Sequence, residues 1–294
     1  MQSHPKPATA GRSTAGRGIV MAIMATISYA VADAASKYQA REYPVEMIVW
    51  ARYTVPLILL LLVFLPRLGR SMLRTAYPGL QIVRGALATA GTAFIIFAYR
   101  GMPMAEAQAI SFIHPVLLTL LAVIFLGEKV SRLGWVAVLL GFTGLLLIVR
   151  PGGGLFTPVA LLPLGLALSF SSYQIFTRII TRKESSINSL FYVLPVGSLV
   201  MSSTLPVVWV DPTPKGLLFF AFLGVTSGMG HFLTINSLEY APASLIAPFA
   251  YIQLLWISIL GIPVFGDVYT LVGMAIIVAS GFLVAASRRA PKPG

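Results

Sequence analysis

Along this chain, apolar runs alternate with short breaks of charge, proline and glycine, and the runs dominate. Crossing a bilayer as a helix takes about 20 predominantly apolar residues, with a range of roughly 17 to 25. Read between the breaks, the pattern predicts ten spans, over residues 18–38, 46–66, 79–99, 105–126, 134–149, 159–180, 188–209, 216–237, 244–264 and 270–287. The fifth and tenth are short, and the links leave no room for a soluble domain. The expected fold class is an all-α integral membrane protein. Residues 1–17 are rich in Pro, Gly, Ser and Thr and read as a disordered tail; residues 288–294 read as a second tail. The apolar run after the first tail exceeds a signal-peptide core, which argues against cleavage.

Composition strengthens this picture. Only 10% of the residues are charged and 57% are hydrophobic, against about 25% charged in soluble domains. Such a chain must solvate its apolar surface in lipid, so the bilayer is its first partner. There is no cysteine, which excludes disulfides and thiol chemistry. The three histidines, His4, His114 and His231, are too scattered for a zinc motif. No metal and no cofactor are expected.

The net charge of +12 raises the question of a nucleic-acid partner, but its distribution points elsewhere. With the N-terminus in the cytoplasm, alternation across ten spans puts 14 of the 21 basic residues inside and 5 outside. Arg52 and Arg84 fall within spans. Cytoplasmic loops carry such an excess of Lys and Arg. The expectation is a multi-pass protein of a bacterial-type inner membrane, with both termini cytoplasmic, no nucleic-acid partner, and function as a monomer.

The halves of the chain match each other. A constant offset of 139 carries Gly85 to Gly224, Gly91 to Gly230, Pro103 to Pro242, Gly127 to Gly266, Glu128 to Asp267 and Gly134 to Gly273. The pair Ser28–Tyr29 matches Ser172–Tyr173 at an offset of 144. This is the signature of a duplication, with halves at 18–150 and 158–287. Each half holds five spans, and an odd number forces opposite orientations. Inverted repeats of this kind build secondary transporters, whose sites lie near the bilayer midplane between the repeats.

The stretch "MPMAEAQAISFIHPVLLTLLAVIFLGEKVSRLGWVAVLLGFTGLLLIVRPGG", residues 102–153, resembles the EamA-type signature of the drug/metabolite transporter superfamily. The residues that carry the likeness are Pro115 in the fourth span, Gly127 and Glu128 after it, and Gly134, Trp135, Gly141 and Gly144 in the fifth. Through the duplication the likeness extends to nearly the whole chain. It implies ten helices around a central cavity. It also implies kinship with amino-acid exporters, including exporters of aromatic amino acids, and with carriers of nucleotide-like metabolites. In the second half Leu254 stands at the Pro115 position and Asp267 replaces the glutamate. "DAASKY" (33–38) and "VWARY" (49–53) also resemble bacterial S-adenosylmethionine carriers of the superfamily.

Charges at the centre of a spanning helix cost about 2.5 to 3.5 kcal/mol on insertion scales, so each needs a reason. Asp33 and Lys37 are four residues apart and share a helix face with Tyr29. They read either as a structural ion pair with Lys37 snorkelling, or as a charge pair that meets a zwitterion. Asp33 is the one acid well inside a span, and with His231 it is a candidate for proton coupling. Arg52, between Trp50 and Tyr53, reads as an interface anchor or as an inward fork for a carboxylate. Arg84 reads as a snorkelling residue.

Gln108, Ser111 and Pro115 form one stripe on the fourth span, and Pro115 frees a backbone carbonyl. His114 falls on another face and reads as packing. Ser227, His231 and Thr234 share a face that should look inward, and Thr92 is the repeat partner of His231. Tyr99, Tyr173 and Gln174 read as belt residues or as walls of a cavity for an aromatic or thioether substrate. Glu128 and Asp267 read as caps on the next helix, with Lys129 and Arg132 as alternative partners for Glu128.

The expected function is transport of small metabolites by alternating access, with export of aromatic or hydrophobic amino acids favoured. An S-adenosylmethionine or nucleoside-like carrier is the alternative. A sulfonium cation calls for carboxylates, and only Asp33 is well placed. A membrane-embedded enzyme is a remote third reading, since no span holds two acids or an HExxH pattern. A channel is a fourth.

Overall fold

A computed structural model describes residues 12–69, 74–102, 104–149 and 158–265, together with Ala279. The described residues form helices and links, with no strand among them. The first three spans are α1 (Arg12–Gln39), α2 (Val45–Leu68) and α3 (Pro78–Gly101). The fourth is two helices, α4 (Met104–Ser111) and α5 (His114–Leu126), and the fifth is α6 (Arg132–Val149). A 3-10 turn, Pro158–Ala160, leads into the sixth, α7 (Leu161–Ile180). The seventh is α8 (Ser186–Ser202) with one further turn, α9 (Leu205–Val208). The eighth is α10 (Pro214–Tyr240). The ninth combines α11 (Ala243–Ile246), a 3-10 stretch at Ala247–Tyr251, and α12 (Ile252–Phe265). Apart from Ala279, the expected tenth span lies outside the described residues, as do Asp267, Pro103, residues 1–11 and the whole of 288–294.

Three boundaries differ from expectation. The first helix starts at Arg12, so residues 12–17 extend the helix. Ala15 is buried there, and the Arg17 guanidinium lies 5.8 Å from the centre of the Tyr240 ring. The seventh span stops at Ser202. The Ser203 and Thr204 hydroxyls bond back to the carbonyls of Val200 and Met201, and Pro206 cannot donate to continue the ladder. The fourth and ninth spans are broken, which the apolar pattern did not show.

The two breaks are related by the repeat. The second helix of the fourth span starts at His114, and that of the ninth at Ile252, 138 positions on and one short of the repeat offset. In the fourth span the cause is Pro115, which removes the N–H that would bond the Ser111 carbonyl. The His114 ring replaces that donor, with Nδ1 at 3.3 Å from the Ser111 oxygen. Ser171 on α7 donates to the His114 carbonyl at 3.0 Å. Freed backbone groups at this depth need partners inside the protein, and side chains supply them. In the ninth span Pro248 stands inside the 3-10 stretch.

Helix contacts repeat across the halves. α1 packs along α10 as α3 packs along α7, and α1 meets α12 as α7 meets α5. Gly85 on α3 lies against Val196 on α8, and Gly224 on α10 lies against Val55 on α2. Each crossing is closed by a glycine, the small-residue approach that membrane helices use. The outside of the bundle carries Leu62, Ile124, Phe125, Leu199 and Leu218, all exposed. The inside carries Asp33, Arg52, Gln108, His114 and His231, all buried. This is the burial pattern of a protein solvated by lipid. Among the described residues, five helices are long and apolar enough to cross a membrane whole. The fold is an all-α membrane protein of two inverted five-helix repeats around a central cavity.

Candidate functional site

The cavity lies between the broken fourth and ninth spans and helices α1, α2, α3, α7 and α10. Tyr29, Asp33, Arg52, Thr92, Gln108, Ser111, His114, His231 and Gln253 are its polar lining, and Ile95, Phe112, Leu166 and Phe170 its apolar lining. About 60 Å³ of the cavity is open to a water-sized sphere, well short of the roughly 300 to 1,000 Å³ of small-molecule sites, so the walls must part to admit a ligand.

Asp33 is its electrostatic centre. Arg52 on α2 donates from NH1 to Asp33 Oδ1 at 3.0 Å. Arg52 also donates to the Ser36 hydroxyl at 3.0 Å and the Ser227 hydroxyl at 3.2 Å. The other carboxylate oxygen accepts from Gln108 at 3.3 Å and from Gln253 at 3.1 Å. One buried carboxylate thus gathers a cation and two amides, one amide from each broken span. The Arg52 fork is used as its planar geometry suits, with three donors aimed at three acceptors. The expected partner for Asp33 was Lys37, one turn along the same helix. The structure pairs Asp33 with Arg52 instead, and Lys37 stands half-buried outside the cavity lining.

A second polar group is centred on His231. The His231 Nδ1 lies 3.3 Å from the Tyr29 hydroxyl and 3.4 Å from the Tyr173 hydroxyl. Tyr29 and Tyr173 are the repeat pair, so one histidine is held by two equivalent tyrosines. Thr234 donates to Tyr29 at 3.3 Å, and Tyr53 meets Thr92 at 3.0 Å. Phe170 stacks on Tyr173, with ring centres 5.6 Å apart, and meets Tyr29 and His114 edge-on. The walls are therefore aromatic around a small set of fixed polar atoms.

Of the residues picked from sequence, Tyr29, Asp33, Arg52, Thr92, Gln108, Ser111 and His231 line this cavity. Gln174 and Thr234 line an adjoining one. Ser227, Tyr99 and Tyr173 are buried behind the lining; Ser227 accepts from Arg52, and Gln108 donates to the Tyr99 hydroxyl. Pro115 is buried at the helix break. Sequence reasoning missed Gln253, His114, Phe112 and Phe170 as lining. The signal for two of them was available: Gln253 is the repeat partner of His114, so a polar residue recurs at both breaks.

One arginine and one glutamate depart from expectation. Arg52 is buried, which matches the inward of its two expected readings and not the interface anchor. Arg84 does not snorkel: it is fully buried, donates to Thr177 at 3.3 Å and to the Ser189 carbonyl, and lies 5.7 Å from the Tyr173 ring centre. Glu128 caps a helix, but across the repeats. It accepts from the backbone N–H groups of Ala243 and Ser244 at 3.2 and 2.9 Å, at the start of the ninth span. Its ion-pair partner is Arg178, at 3.9 Å.

These features define a multi-pass helical membrane protein with a central polar cavity shared by two like halves. The family model described as "EamA-like transporter family" matches residues 16–150 and again 157–286, and the chain belongs to that family of membrane transporters. An "S-adenosylmethionine uptake transporter" of Rickettsia bellii is 29% identical over 277 residues, 93% of this chain and 95% of that protein. A "Riboflavin transporter" of Vibrio cholerae is 26% identical over 90% of this chain and 91% of its own. A "Pseudopaline exporter" of Pseudomonas aeruginosa is 25% identical over 81% and 84%. One solved structure superposes with a TM-score of 0.76 over 95% of this chain and 99% of its own, at 20% identity, which is a likeness of fold.

Proposed function

We propose that this protein is a secondary transporter for a zwitterionic metabolite that bears an amino-acid group, of the S-adenosylmethionine class. The observation that carries the reading is the Asp33–Arg52 pair in an aromatic-walled cavity. A zwitterion can insert between the two residues, its carboxylate on Arg52 and its ammonium on Asp33. Two ion pairs then replace one, and the net charge of the buried site does not change. That matters because an unpaired charge in such a place costs several kcal/mol.

A sulfonium would add one further positive charge with no second carboxylate to meet it. Tyr29 and Phe170 line the cavity, and aromatic rings attract desolvated cations. Aromatic walls thus answer the shortage of acids that favoured plain amino acids in the sequence. Four Rickettsia relatives named as S-adenosylmethionine uptake transporters support the same class.

Export of an aromatic or hydrophobic amino acid is the second reading, favoured by the same pair, which suits any α-amino acid. In both readings the carrier works as a monomer in a bacterial-type inner membrane, with both termini cytoplasmic. Asp33 and His231 are the candidates for proton coupling.

The test is uptake into proteoliposomes of the purified protein, with labelled S-adenosylmethionine, phenylalanine, methionine and riboflavin run in parallel. Saturable S-adenosylmethionine uptake is expected. Transport of amino acids with none of S-adenosylmethionine would replace the first reading by the second. Asp33→Asn, assayed with and without a pH gradient, tests coupling; an unchanged gradient dependence removes Asp33 as the proton site.

A further inference from the structure

Next to the charged cavity lies a second chamber, towards the N-terminal end of α1. About 40 Å³ of it is open to a water-sized sphere, so a ligand there requires the walls to part. Four residues line both chambers, Tyr29, His114, Phe170 and Gln253. They form a collar between the two. Beyond it the polar lining is Thr26, Gln174, Thr234 and Ser237, and no charged side chain is among the lining residues. The rest of the wall is aliphatic, from Ala22, Leu118, Ile246 and others.

Gln174 is the unusual member. It is only 5% exposed, it lines this chamber, and its amide has no hydrogen-bond partner among the described residues. Its amide atoms are not among the fully buried ones that lack a partner, so they open onto the chamber and can donate and accept there. The neighbours add acceptors. Ser237 spends its proton on the Thr234 carbonyl at 2.8 Å, which leaves its oxygen able to accept. At the collar the Ser111 carbonyl can only accept, so the His114 Nδ1 carries the proton, and in the neutral ring Nε2 remains an acceptor.

We infer that this second chamber is a binding subsite for the uncharged, hydrogen-bonding part of the substrate, of nucleoside type, with Gln174 as its specificity residue. The inference rests on the reading of the charged cavity as the seat of the amino-acid group. One molecule then spans the collar: the zwitterionic end meets Asp33 and Arg52, the planar middle lies against Tyr29 and Phe170, and hydroxyl or amide edges reach Gln174. Asp33 and Thr26 are seven residues apart on α1, about 10 Å along the axis, a separation that a compact amino acid does not bridge.

Adenosine and methionine serve as half-ligands in the test, competing against labelled S-adenosylmethionine on the purified full-length protein. Gln174→Met is expected to raise the half-inhibitory concentration of adenosine about fivefold, the effect of one lost neutral hydrogen bond, and to leave that of methionine within twofold. Ser237→Ala should act in the same direction, more weakly, and Gln174→Asn should restore part of the loss. Equal weakening of both competitors, or no change in either, overturns the inference. If the wild-type protein does not bind S-adenosylmethionine, the proposed function fails on its own. The subsite is then read by thermal stabilisation with adenosine alone. A shift in the wild type that Gln174→Met abolishes upholds it; the same shift in both, or none in either, overturns it.

Discussion

Arg52 and Asp33 hold opposite charges where neither could stand alone. Breaking a buried pair by removing one partner costs about 3 to 5 kcal/mol, while replacing both by apolar groups is often neutral. Asp33→Leu and Arg52→Leu should each lower the melting temperature in detergent, and the double variant should recover most of the loss while failing to bind substrate. If the double variant melts at or below the worse single one, the pair is not what stabilises this region. That both residues are interior and polar was legible in the sequence, since charges inside spans are costly and need partners. Their choice of partner was not. Along one helix the eye finds Lys37 four residues from Asp33, whereas Arg52 reaches Asp33 only because α1 and α2 both pack along α10. Arg84 was misread for a related reason: its place near a helix start suggested escape to water, but α7 and α8 close over it.

At the level of helices, the repeat was the most informative feature of the sequence. It paired Gly85 with Gly224, and the structure shows both at the same kind of crossing. A Cβ at Gly85 would stand 2.8 Å from the Val196 Cβ, an overlap with a branched side chain. At Gly224 it would stand 2.3 Å from the Val55 Cβ and 2.8 Å from the Ala51 carbonyl, which is backbone and cannot turn away. Gly224→Ala is therefore expected to lower the melting temperature more than Gly85→Ala. At Gly16 no atom lies within 4 Å of the added carbon, and Gly16→Ala should be neutral or slightly stabilising. An equal effect at all three positions would mean that packing at these crossings does not decide stability. The broken spans were only half legible. Pro115 announced one break, but its repeat partner is Leu254, so the ninth span gave no matching sign; there the 3-10 stretch contains Pro248 instead. Glu128 shows the same limit. A carboxylate suited to cap a helix start was readable, but the helix it caps begins 115 residues later. Loss of a cap costs about 0.5 to 2 kcal/mol, so Glu128→Ala should destabilise the protein by that amount, and Glu128→Gln by less. Equal melting of the two variants would show that the cap's acceptor is not what matters.

For the whole molecule, inversion is the property on which alternating access depends. Two like halves in opposite orientations can exchange conformations, so that the outward and inward cavities are near-equivalent in energy and substrate binding need supply little to interconvert them. The cavity is built accordingly. Asp33, from the first half, is held by Gln108 of the first half and Gln253 of the second, and His231 of the second by Tyr29 and Tyr173, one from each. If the proposed substrate ammonium takes Asp33, it competes with both glutamines at once, which would loosen the two broken spans together. All of this requires that the halves enter the membrane in opposite senses. The chain contains no cysteine, so single cysteines can report orientation without background. With the N-terminus inside, the link between α7 and α8 lies in the cytoplasm and the link between α9 and α10 outside. Asp211→Cys should then react in intact cells with a membrane-impermeant maleimide, and Lys183→Cys only after the membrane is opened. Glu42→Cys, in the first half, should behave as Asp211→Cys, and Lys129→Cys as Lys183→Cys. Reversal of all four would turn the protein over while keeping the repeat inverted. Agreement in the first half with reversal in the second would mean an even number of spans per half, and with it the loss of the symmetry that makes the two cavities equivalent.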